Sequence, residues 1–165
     1  MKINPKYILE QKIVHPAPNQ PNIIEKDQLQ QNGIDLRLAK AEKVVGVYEM
    51  YMDNKKDVRP DFIELQVVDN CYYFEPGCQY ALTFMEDVKV PSGMCATVIH
   101  RSSLNRFSST IFSGLYDAGY ESSGGCGAMM RPLIKTRIEI GTRVAQIVFD
   151  KAEEASLYDG QYQRK

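Results

Sequence analysis

The sequence predicts an all-β protein, built as a sandwich, a jelly roll or a barrel. About ten short segments rich in β-branched and aromatic residues follow one another closely, with turn residues between them. No long stretch has the apolar periodicity of an amphipathic helix. The 165 residues, of which 44% are apolar and 25% charged, are enough for one folded domain with its own core.

The first thirty residues are expected to contain little regular β-structure. Residues 1–12 can form a short helix or an extended arm, and three prolines, Pro16, Pro18 and Pro21, then interrupt regular structure. Residues 23–31 are mixed in character and are interpreted as a loop or a single helical turn.

The remaining chain is expected to alternate between strands and turns. Alternating or apolar segments predict strands at residues 34–38, 43–52, 62–68, 71–74, 79–84, 88–90, 94–100, 107–113, 133–140 and 144–149. Residues 121–130 are rich in glycine and serine and predict a loop or an irregular strand. The last residues have little to pack against.

Composition excludes several classes of protein. A formal net charge of −1 gives no basic field for nucleic acid, and no apolar run is long enough for a membrane span. The N-terminus lacks the apolar core of a signal peptide, so a cytoplasmic protein is expected. The cysteines have no CxxC spacing and the two histidines lie far from them, which favours buried thiols over a zinc site. These residues are Cys71, Cys78, Cys95, Cys126, His15 and His100.

One carboxylate, Asp117, stands between aromatic residues in the loop of residues 114–120. The simpler interpretation is a turn aspartate that caps its own backbone. The alternative is a general base that orients water, since partial desolvation between Tyr116 and Tyr120 would suit that function. Apart from Arg106, no arginine or lysine lies within about ten residues, so this carboxylate has no obvious local partner.

A second polar stretch, Arg101 to Arg106, follows directly after an apolar segment. Its simpler interpretation is a solvated strand end. However, two guanidinium groups beside paired hydroxyl groups are also the donors that bind phosphate oxygens. The stretch lacks the GxxxxGK pattern of a nucleotide P-loop.

Two further polar residues lie within otherwise apolar strands. Gln146 needs hydrogen-bond partners if it is buried, and can contact a neighbouring loop or a phosphate. Asp35 is expected to be buried and paired. Arg37 follows two residues later on the same face, so a structural ion pair between them is one interpretation. The other is an acid near a metal-bound polyphosphate.

Taken in order, these stretches resemble the family of trimeric dUTP pyrophosphatases and dCTP deaminases. The resemblance runs from about residue 30 to the end of the chain. The second of the four motifs has the form typical of the deaminase branch and of the archaeal bifunctional enzymes. The matching motifs are Ile34–Leu38, Arg101–Arg106, Leu115–Tyr120 and Gly141–Phe149, with a run-up to the second at Phe74–Gly77, Thr83–Glu86 and Val90–Pro91.

The resemblance implies a distorted jelly roll, the dUTPase-like β-clip, assembled as a homotrimer with active sites between subunits. It implies that Asp117 activates the attacking water and that Tyr120 packs on the deoxyribose. Mg²⁺ would accompany the triphosphate, and Asp35 would reach this metal through water. The implied phosphate-binding residues are Arg101, Ser102, Ser103, Arg106 and Gln146.

The chain departs from the family pattern at two places. Deaminases of this family need a glutamate a few residues beyond the third motif. Here that position falls near Gly127 or Ala128, and Glu121 comes too early. The C-terminus resembles the Lys-Tyr-Gln ending of the deaminase branch, so Tyr162 is expected to stack on the base and Gln163 to bind its edge or a phosphate.

The missing glutamate favours hydrolysis of dUTP to dUMP and pyrophosphate over deamination, because amine loss requires proton transfers. A dCTP deaminase, monofunctional or bifunctional, is the alternative enzyme, and a nucleotide-binding regulatory relative without turnover is the alternative of another class. The expected organisation is a single domain over residues 1–165. Residues 1–22 would form an N-terminal arm, and residues 156–165 a tail that closes over the active site.

Overall fold

The computed structural model describes residues 1–22, 24–153 and 156–160. In this part of the chain, two short α-helices, two 3₁₀ turns and eleven strands follow one another. The α-helices are α1 (Pro5–Glu10) and α2 (Ser102–Phe107), and the 3₁₀ turns are Lys26–Gln28 and Asn54–Lys56. The strands are β1 (Val14–Pro16), β2 (Ile34–Val45), β3 (Asp61–Glu64), β4 (Cys71–Phe74), β5 (Tyr80–Phe84), β6 (Glu86–Val88), β7 (Met94–His100), β8 (Ser109–Phe112), β9 (Gly127–Pro132), β10 (Thr136–Glu139) and β11 (Arg143–Lys151).

The main sheet closes on itself. Its strands are hydrogen-bonded in the order β11-β7-β8-β9-β5-β2-β3, and β11 also pairs with β2. That additional antiparallel pairing, with Gln146 opposite Asp35, joins the two sides of the sheet and leaves β3 as an appended edge strand. The prediction of an all-β, jelly-roll-like fold is therefore confirmed.

The strand β2 is a single long element where the sequence predicted two strands. Its first residues pair with β11, and later residues pair with β5 and then with β3. The register shifts between Leu38 and Lys40, so the strand bends as it passes from one partner to the other. Residues 39–42 looked like a break because Ala-Lys-Ala-Glu has low strand propensity, and pairing on both sides overrides it.

Two small antiparallel sheets complete the domain. One pairs β1 with β6, and the other pairs β10 with β4. The N-terminal arm contains an extended part and a helical part. Lys2 forms a β-bridge to Asp150 of β11, and α1 follows, with the Asn4 side chain capping its first turn. None of the helices in the described part of the chain is long and apolar enough to cross a membrane.

The core lies inside the closed sheet. Its largest buried side chains come from alternate positions of the paired strands, as expected when one face of each strand is buried. Among them are Leu36, Leu38, Tyr80, Leu82, Phe84, Ile111, Met130 and Ile147. The helix α2 packs on this core through Leu104, although the sequence predicted no helix there. Six residues are too few to show helical periodicity, so no local pattern indicated this helix.

Candidate active site

Two separate cavities contain the polar residues that the sequence analysis singled out. The first, of about 720 Å³, is lined by Asp117 and Tyr120 together with residues of β5 and β9. The second, of about 600 Å³, is lined by Asp35, Arg101, Ser102, Arg106 and Gln146 among others. The two cavities share no lining residue. Within one chain, the candidate base and the candidate phosphate ligands therefore line different cavities.

The loop that carries Asp117 is a tight turn. The N–H of Tyr120 donates to the carbonyl of Asp117 at 3.0 Å, and Gly119 between them has φ +90°. A positive φ at the third position of a turn requires glycine, so Gly119 determines this conformation. The turn is fastened to Val90, whose carbonyl accepts from Gly119 N–H and whose N–H donates to the Tyr120 carbonyl, both at 2.8 Å.

The carboxylate of Asp117 lines the first cavity. Its side chain is exposed, and none of the described residues hydrogen-bonds or ion-pairs with it. The interpretation as a side-chain cap of its own backbone is therefore wrong. The partial desolvation expected from Tyr116 and Tyr120 is also absent in the single chain, because Asp117 is exposed. Asp117 is thus available to a ligand in the first cavity.

Three tyrosine rings form one side of the first cavity. The ring centroids of Tyr116 and Tyr120 lie 4.8 Å apart, and those of Tyr120 and Tyr158 lie 5.6 Å apart. Burial raises the pKa of Tyr120 to about 12, so its phenol stays neutral at physiological pH. The backbone N–H of Tyr158 donates to the carbonyl of Ala118 at 2.7 Å, which fixes the C-terminal segment beside the turn.

Gly127 and Ala128, near which the family resemblance places the glutamate of a deaminase, line the same cavity as Asp117. Gly127 and Ala128 begin β9, and Gly127 is held by an N–H to the Tyr116 hydroxyl at 3.1 Å. Among the described lining residues, Asp117 and Glu42 are the two carboxylates. Glu42 is already engaged by Lys40, whose Nζ lies 3.2 Å from its Oε1.

The second cavity is built around the end of β7. Arg101 follows that strand directly, and its N–H donates to the carbonyl of Val144 at 3.1 Å. Its guanidinium turns inward, where Nη1 donates to the carbonyl of Arg143 at 3.0 Å. Ser102 and Arg106, one turn apart on α2, are exposed at the cavity rim.

The carboxylate of Asp35 is fully buried and lies against Arg101, with 2.8 Å between Asp35 Oδ2 and Arg101 Nε. Arg143 lies 3.6 Å from the same oxygen, and Gln146 Nε2 donates to Asp35 Oδ1 at 3.3 Å. Burial raises the pKa of the Asp35 carboxyl, and the two arginines and the Gln146 amide oppose this effect. Asp35 and Gln146 are brought together because they are opposite each other in the β2–β11 pairing.

The expected ion pair between Asp35 and Arg37 does not form. Arg37 is buried and pairs instead with Glu86, whose Oε1 lies 2.7 Å from Arg37 Nε. The same carboxylate oxygen accepts from Gln28 Nε2 at 2.9 Å. The spacing of the two residues predicts one shared face, but Asp35 contacts residues on β11 and at the end of β7, which a local pattern does not reveal.

A close backbone approach places Gln146. A Cβ atom at Gly33 would lie 2.6 Å from the carbonyl oxygen of Ile147 and 2.7 Å from Gln146 Cγ. Only glycine therefore fits where the chain enters β2.

The remaining predicted site residues are not among the described residues that line the two cavities. Ser103 is exposed and is not among the residues that line the second cavity. Tyr162 and Gln163 lie outside the described residues. Several polar lining residues were not singled out from sequence, because none of them carries a motif of its own. These are Gln30, Gln31, Glu42 and Tyr158, together with His100 and with Asn105, which lies inside the Arg101–Arg106 stretch. Arg143, which lies near Asp35, was also not assigned a role in the site.

The donor set of the second cavity fits a hydrated cation bound to a ligand better than a metal held by protein alone. Within the described ranges, no three His, Cys, Asp or Glu side chains come together as a metal cage. Asp35 Oδ2 is buried, yet no well-directed hydrogen bond reaches it from the described residues, despite the nearby guanidinium. This oxygen can accept from a metal-bound water, which matches how Mg²⁺ keeps several waters.

Comparison with known proteins gives consistent relatives. A family model described as dCTP deaminase-like matches residues 8–152. The deoxyuridine 5'-triphosphate nucleotidohydrolase of Methanocaldococcus jannaschii is 32% identical over 142 residues, which cover 84% of this chain and 89% of that protein. The probable deoxyuridine 5'-triphosphate nucleotidohydrolase of Methanopyrus kandleri is 28% identical over 141 residues, covering 86% of this chain and 91% of the other.

Solved structures support the fold at lower identity. The 2'-deoxycytidine 5'-triphosphate deaminase from Agrobacterium tumefaciens superposes with a TM-score of 0.64 at 21% identity, covering 89% of this chain. This chain spans 46% of that longer one. The dUTPase of Staphylococcus bacteriophage 80alpha has a TM-score of 0.55 at 16% identity, covering 90% of this chain and 86% of the other.

Proposed function

The chain belongs to the dCTP deaminase-like family, and we propose that within it the protein is a dUTP pyrophosphatase that converts dUTP and water to dUMP and pyrophosphate. The archaeal relatives, 32% and 28% identical over most of their length, carry the corresponding name. The arrangement of the first cavity supports the same activity independently of those names.

The observation that carries the proposal is the set of carboxylates around the first cavity. Deamination of cytosine needs an acid/base group to move protons between water and the leaving amine. Gly127 and Ala128 have no side chain that can do this, and Glu42 is paired with Lys40. Asp117 remains as the unpaired carboxylate, and a single base suffices for hydrolysis at phosphorus.

In this reaction, Asp117 accepts a proton from the attacking water. The water oxygen forms a bond to the α-phosphorus, and the bond between that phosphorus and the bridging oxygen of the β-phosphate breaks. The electron pair leaves with pyrophosphate. The exposed position of Asp117, without a partner among the described residues, leaves its carboxylate free to orient the water. The ring of Tyr120 would pack on the deoxyribose.

The second cavity would hold the triphosphate. Arg101, Ser102 and Arg106, which line it, would supply guanidinium and hydroxyl donors to phosphate oxygens. Ser103, the exposed neighbour of Ser102, would add a second hydroxyl from outside the cavity lining. Asp35 and Gln146 orient these donors, because Asp35 fixes Arg101 and Gln146 hydrogen-bonds to Asp35. Phosphoryl transfer depends mainly on positioning and on neutralising negative charge, and this cavity can supply both.

Magnesium is the expected cofactor. Bound to the triphosphate, Mg²⁺ would neutralise charge that develops on the leaving pyrophosphate. Asp35 is the residue of this chain that would accept from one of its waters, through the buried oxygen that lacks a directed hydrogen bond.

A complete site then requires two chains, in a homotrimer with shared active sites. The support is the separation of Asp117 from Arg101 in two cavities that share no residue. Exposed apolar side chains flank the second cavity, as expected for a surface that another subunit covers. They are Ile99 (44% exposed), Phe112 (38%) and Phe107 (70%).

The C-terminal segment, residues 156–165, would close over the nucleotide. Its described part already contacts the catalytic turn, where Tyr158 packs against Tyr120 and hydrogen-bonds to Ala118. Tyr162 and Gln163, a few residues further on, would reach the base and the phosphates. The cytoplasmic location and the absence of nucleic-acid and membrane partners stay predictions from the sequence.

A product assay tests the proposed function. The purified protein is incubated with Mg²⁺ and either dUTP or dCTP, and the nucleotides are separated by chromatography. We expect dUMP and pyrophosphate from dUTP, with dCTP unchanged. Formation of dUTP or dUMP from dCTP would establish a deaminase instead. No turnover of either nucleotide, with binding retained, would establish a nucleotide-binding regulatory relative.

A further inference from the structure

We propose that Asp87 is a positioning residue for the nucleotide pocket. Its buried carboxylate holds the loop of residues 121–126, here called the glycine loop, against β6. The two flanks of this loop, Tyr120 and Gly127, both line the first cavity. The inference rests on the proposed function, because it assigns the first cavity to the nucleoside part of dUTP.

The carboxylate of Asp87 receives three hydrogen bonds from the glycine loop. Asp87 Oδ1 accepts from the Ser122 hydroxyl at 2.7 Å and from the Gly125 N–H at 2.9 Å, and Oδ2 accepts from the Gly124 N–H at 3.2 Å. The Asp87 side chain is 3% exposed. Consecutive backbone N–H groups that converge on one carboxylate form a concave anion site, and here a side chain of the same chain occupies it.

The glycine loop depends on such an anchor because its own sequence favours disorder. Glycine loses more conformational entropy on folding than any other residue. Gly124 and Gly125 adopt φ +87° and +111°. A Cβ atom at Gly125 would lie 2.1 Å from the carbonyl oxygen of Phe84, so the loop is pressed against the end of β5.

Backbone hydrogen bonds on either side of Asp87 transmit this anchoring to the pocket. The N–H of Ser122 donates to the Val88 carbonyl at 2.9 Å, and the N–H of Cys126 donates to the Glu86 carbonyl at 2.7 Å. The turn of Asp117 has separate supports at Val90. Loss of the Asp87 anchor should therefore loosen the pocket wall and leave the catalytic carboxylate in place.

The test compares Asp87→Asn with the wild-type protein. Asparagine has the same size as aspartate, but an NH₂ donor replaces one of the two acceptor oxygens. This NH₂ group then faces an N–H donor of the glycine loop and cannot hydrogen-bond to it. We expect the KM for dUTP to rise by about tenfold or more, because charge-assisted hydrogen bonds are lost, while kcat changes by less than about threefold. The matched control is Asp53→Asn, an exposed aspartate that caps a short turn, which should leave both constants unchanged.

Amide hydrogen exchange gives a readout that needs no turnover. In Asp87→Asn, the amides of Gly124, Gly125 and Cys126 should exchange faster than in the wild-type protein, with the core strands unchanged. Ser122→Ala removes one of the three bonds to Asp87, together with the bond that the Ser122 hydroxyl accepts from the Val88 N–H, and keeps the Asp87 carboxylate and its two bonds to Gly124 and Gly125. It should shift KM and exchange in the same direction by less. This milder variant keeps the test valid if Asp87→Asn folds poorly.

Two results would overturn the proposal. One is unchanged exchange in the glycine loop of both variants, which would mean that Asp87 does not anchor it. The other is faster exchange with an unchanged KM, which would mean that the anchor does not shape the pocket. If the wild-type protein does not hydrolyse dUTP, the proposed function fails, and the exchange measurement still decides the anchoring separately.

Discussion

The Nε atom of Arg101 lies 2.8 Å from Oδ2 of the buried Asp35, and this ion pair fixes the end of β7 relative to β2. Arg101 uses a second nitrogen to bind the carbonyl of Arg143. The guanidinium is therefore held by two strands of the closed sheet before any ligand is present. A pre-oriented arginine loses less freedom when it binds a phosphate.

Arg101→Lys should weaken triphosphate binding selectively. A lysine has one charged nitrogen and cannot bind Asp35 and the Arg143 carbonyl in the same fork geometry. We expect the affinity for a non-hydrolysable dUTP analogue to fall by about ten- to a hundredfold, with the affinity for deoxyuridine unchanged. Calorimetric titration of both ligands measures this difference. Arg137→Lys is the control, because Arg137 is exposed over the Tyr73 ring. Equal losses for both ligands would contradict a phosphate-binding role.

Gly33→Ala should displace Gln146 in the second cavity, because the added Cβ atom clashes with its side chain and with the backbone of β11. The new Cβ atom would meet the Ile147 carbonyl and the Gln146 side chain at under 3 Å. We expect a loss of stability of about 1–3 kcal/mol from overpacking and a raised KM for dUTP, since Gln146 must move. Gly77→Ala is the control: its φ of +77° makes alanine strained, but no atom lies within 4 Å of the added carbon. That variant should lose stability and keep the wild-type KM. If both Gly33→Ala and Gly77→Ala keep the wild-type KM for dUTP, Gly33 has only a structural function.

Tyr120 should contribute to a loss of stability at alkaline pH. Its pKa is raised to about 12 in the folded protein because burial disfavours the phenolate. In the unfolded chain, a tyrosine ionises near its ordinary value of about 10. The unfolded state therefore releases its proton first, and the free energy of unfolding falls as pH rises from about 10 towards 12.

Tyr120→Phe removes this titration, so its unfolding free energy should depend less steeply on pH in that range. Denaturant unfolding at a series of alkaline pH values measures the slope. The control is Tyr48→Phe, which removes a tyrosine that is 56% exposed. If the two variants show the same slope, the buried environment of Tyr120 does not matter to stability.

The sequence predicted well those features that depend on local pattern. β4 and β7 begin and end at the expected residues, because β-branched and aromatic runs are bounded there by turns. The continuity of β2 was not predictable, since its middle residues have low strand propensity and are held by partners on both sides. The helix α2 was missed because one and a half turns give no periodic signal.

The residues of the candidate site also fall into those that a local pattern predicts and those that it does not. Asp117, Tyr120 and the Arg101 stretch could be found because each lies in a local motif. The partners of Asp35 could not be found, because they lie more than sixty residues away and are joined to it only by the closed sheet. Asp87 gave no signal either, since a lone aspartate after Glu86 is unremarkable until the glycine loop folds over it.

The central claim is that Asp117 of one chain and Arg101 of another form one catalytic site. Asp117→Asn and Arg101→Ala should each abolish dUTP hydrolysis while keeping the assembly of the wild-type protein, which sedimentation measures. The two inactive variants, carrying different affinity tags, are then co-expressed, purified through both tags and assayed for release of dUMP.

Mixed assemblies should recover activity, because some sites combine an intact Asp117 from one variant with an intact Arg101 from the other. In a trimer that carries both tags, one of the three shared sites combines the two intact residues, which predicts about a third of the wild-type rate. Mixed assemblies that remain as inactive as the two parent variants would contradict the account, because both residues would then have to come from the same chain.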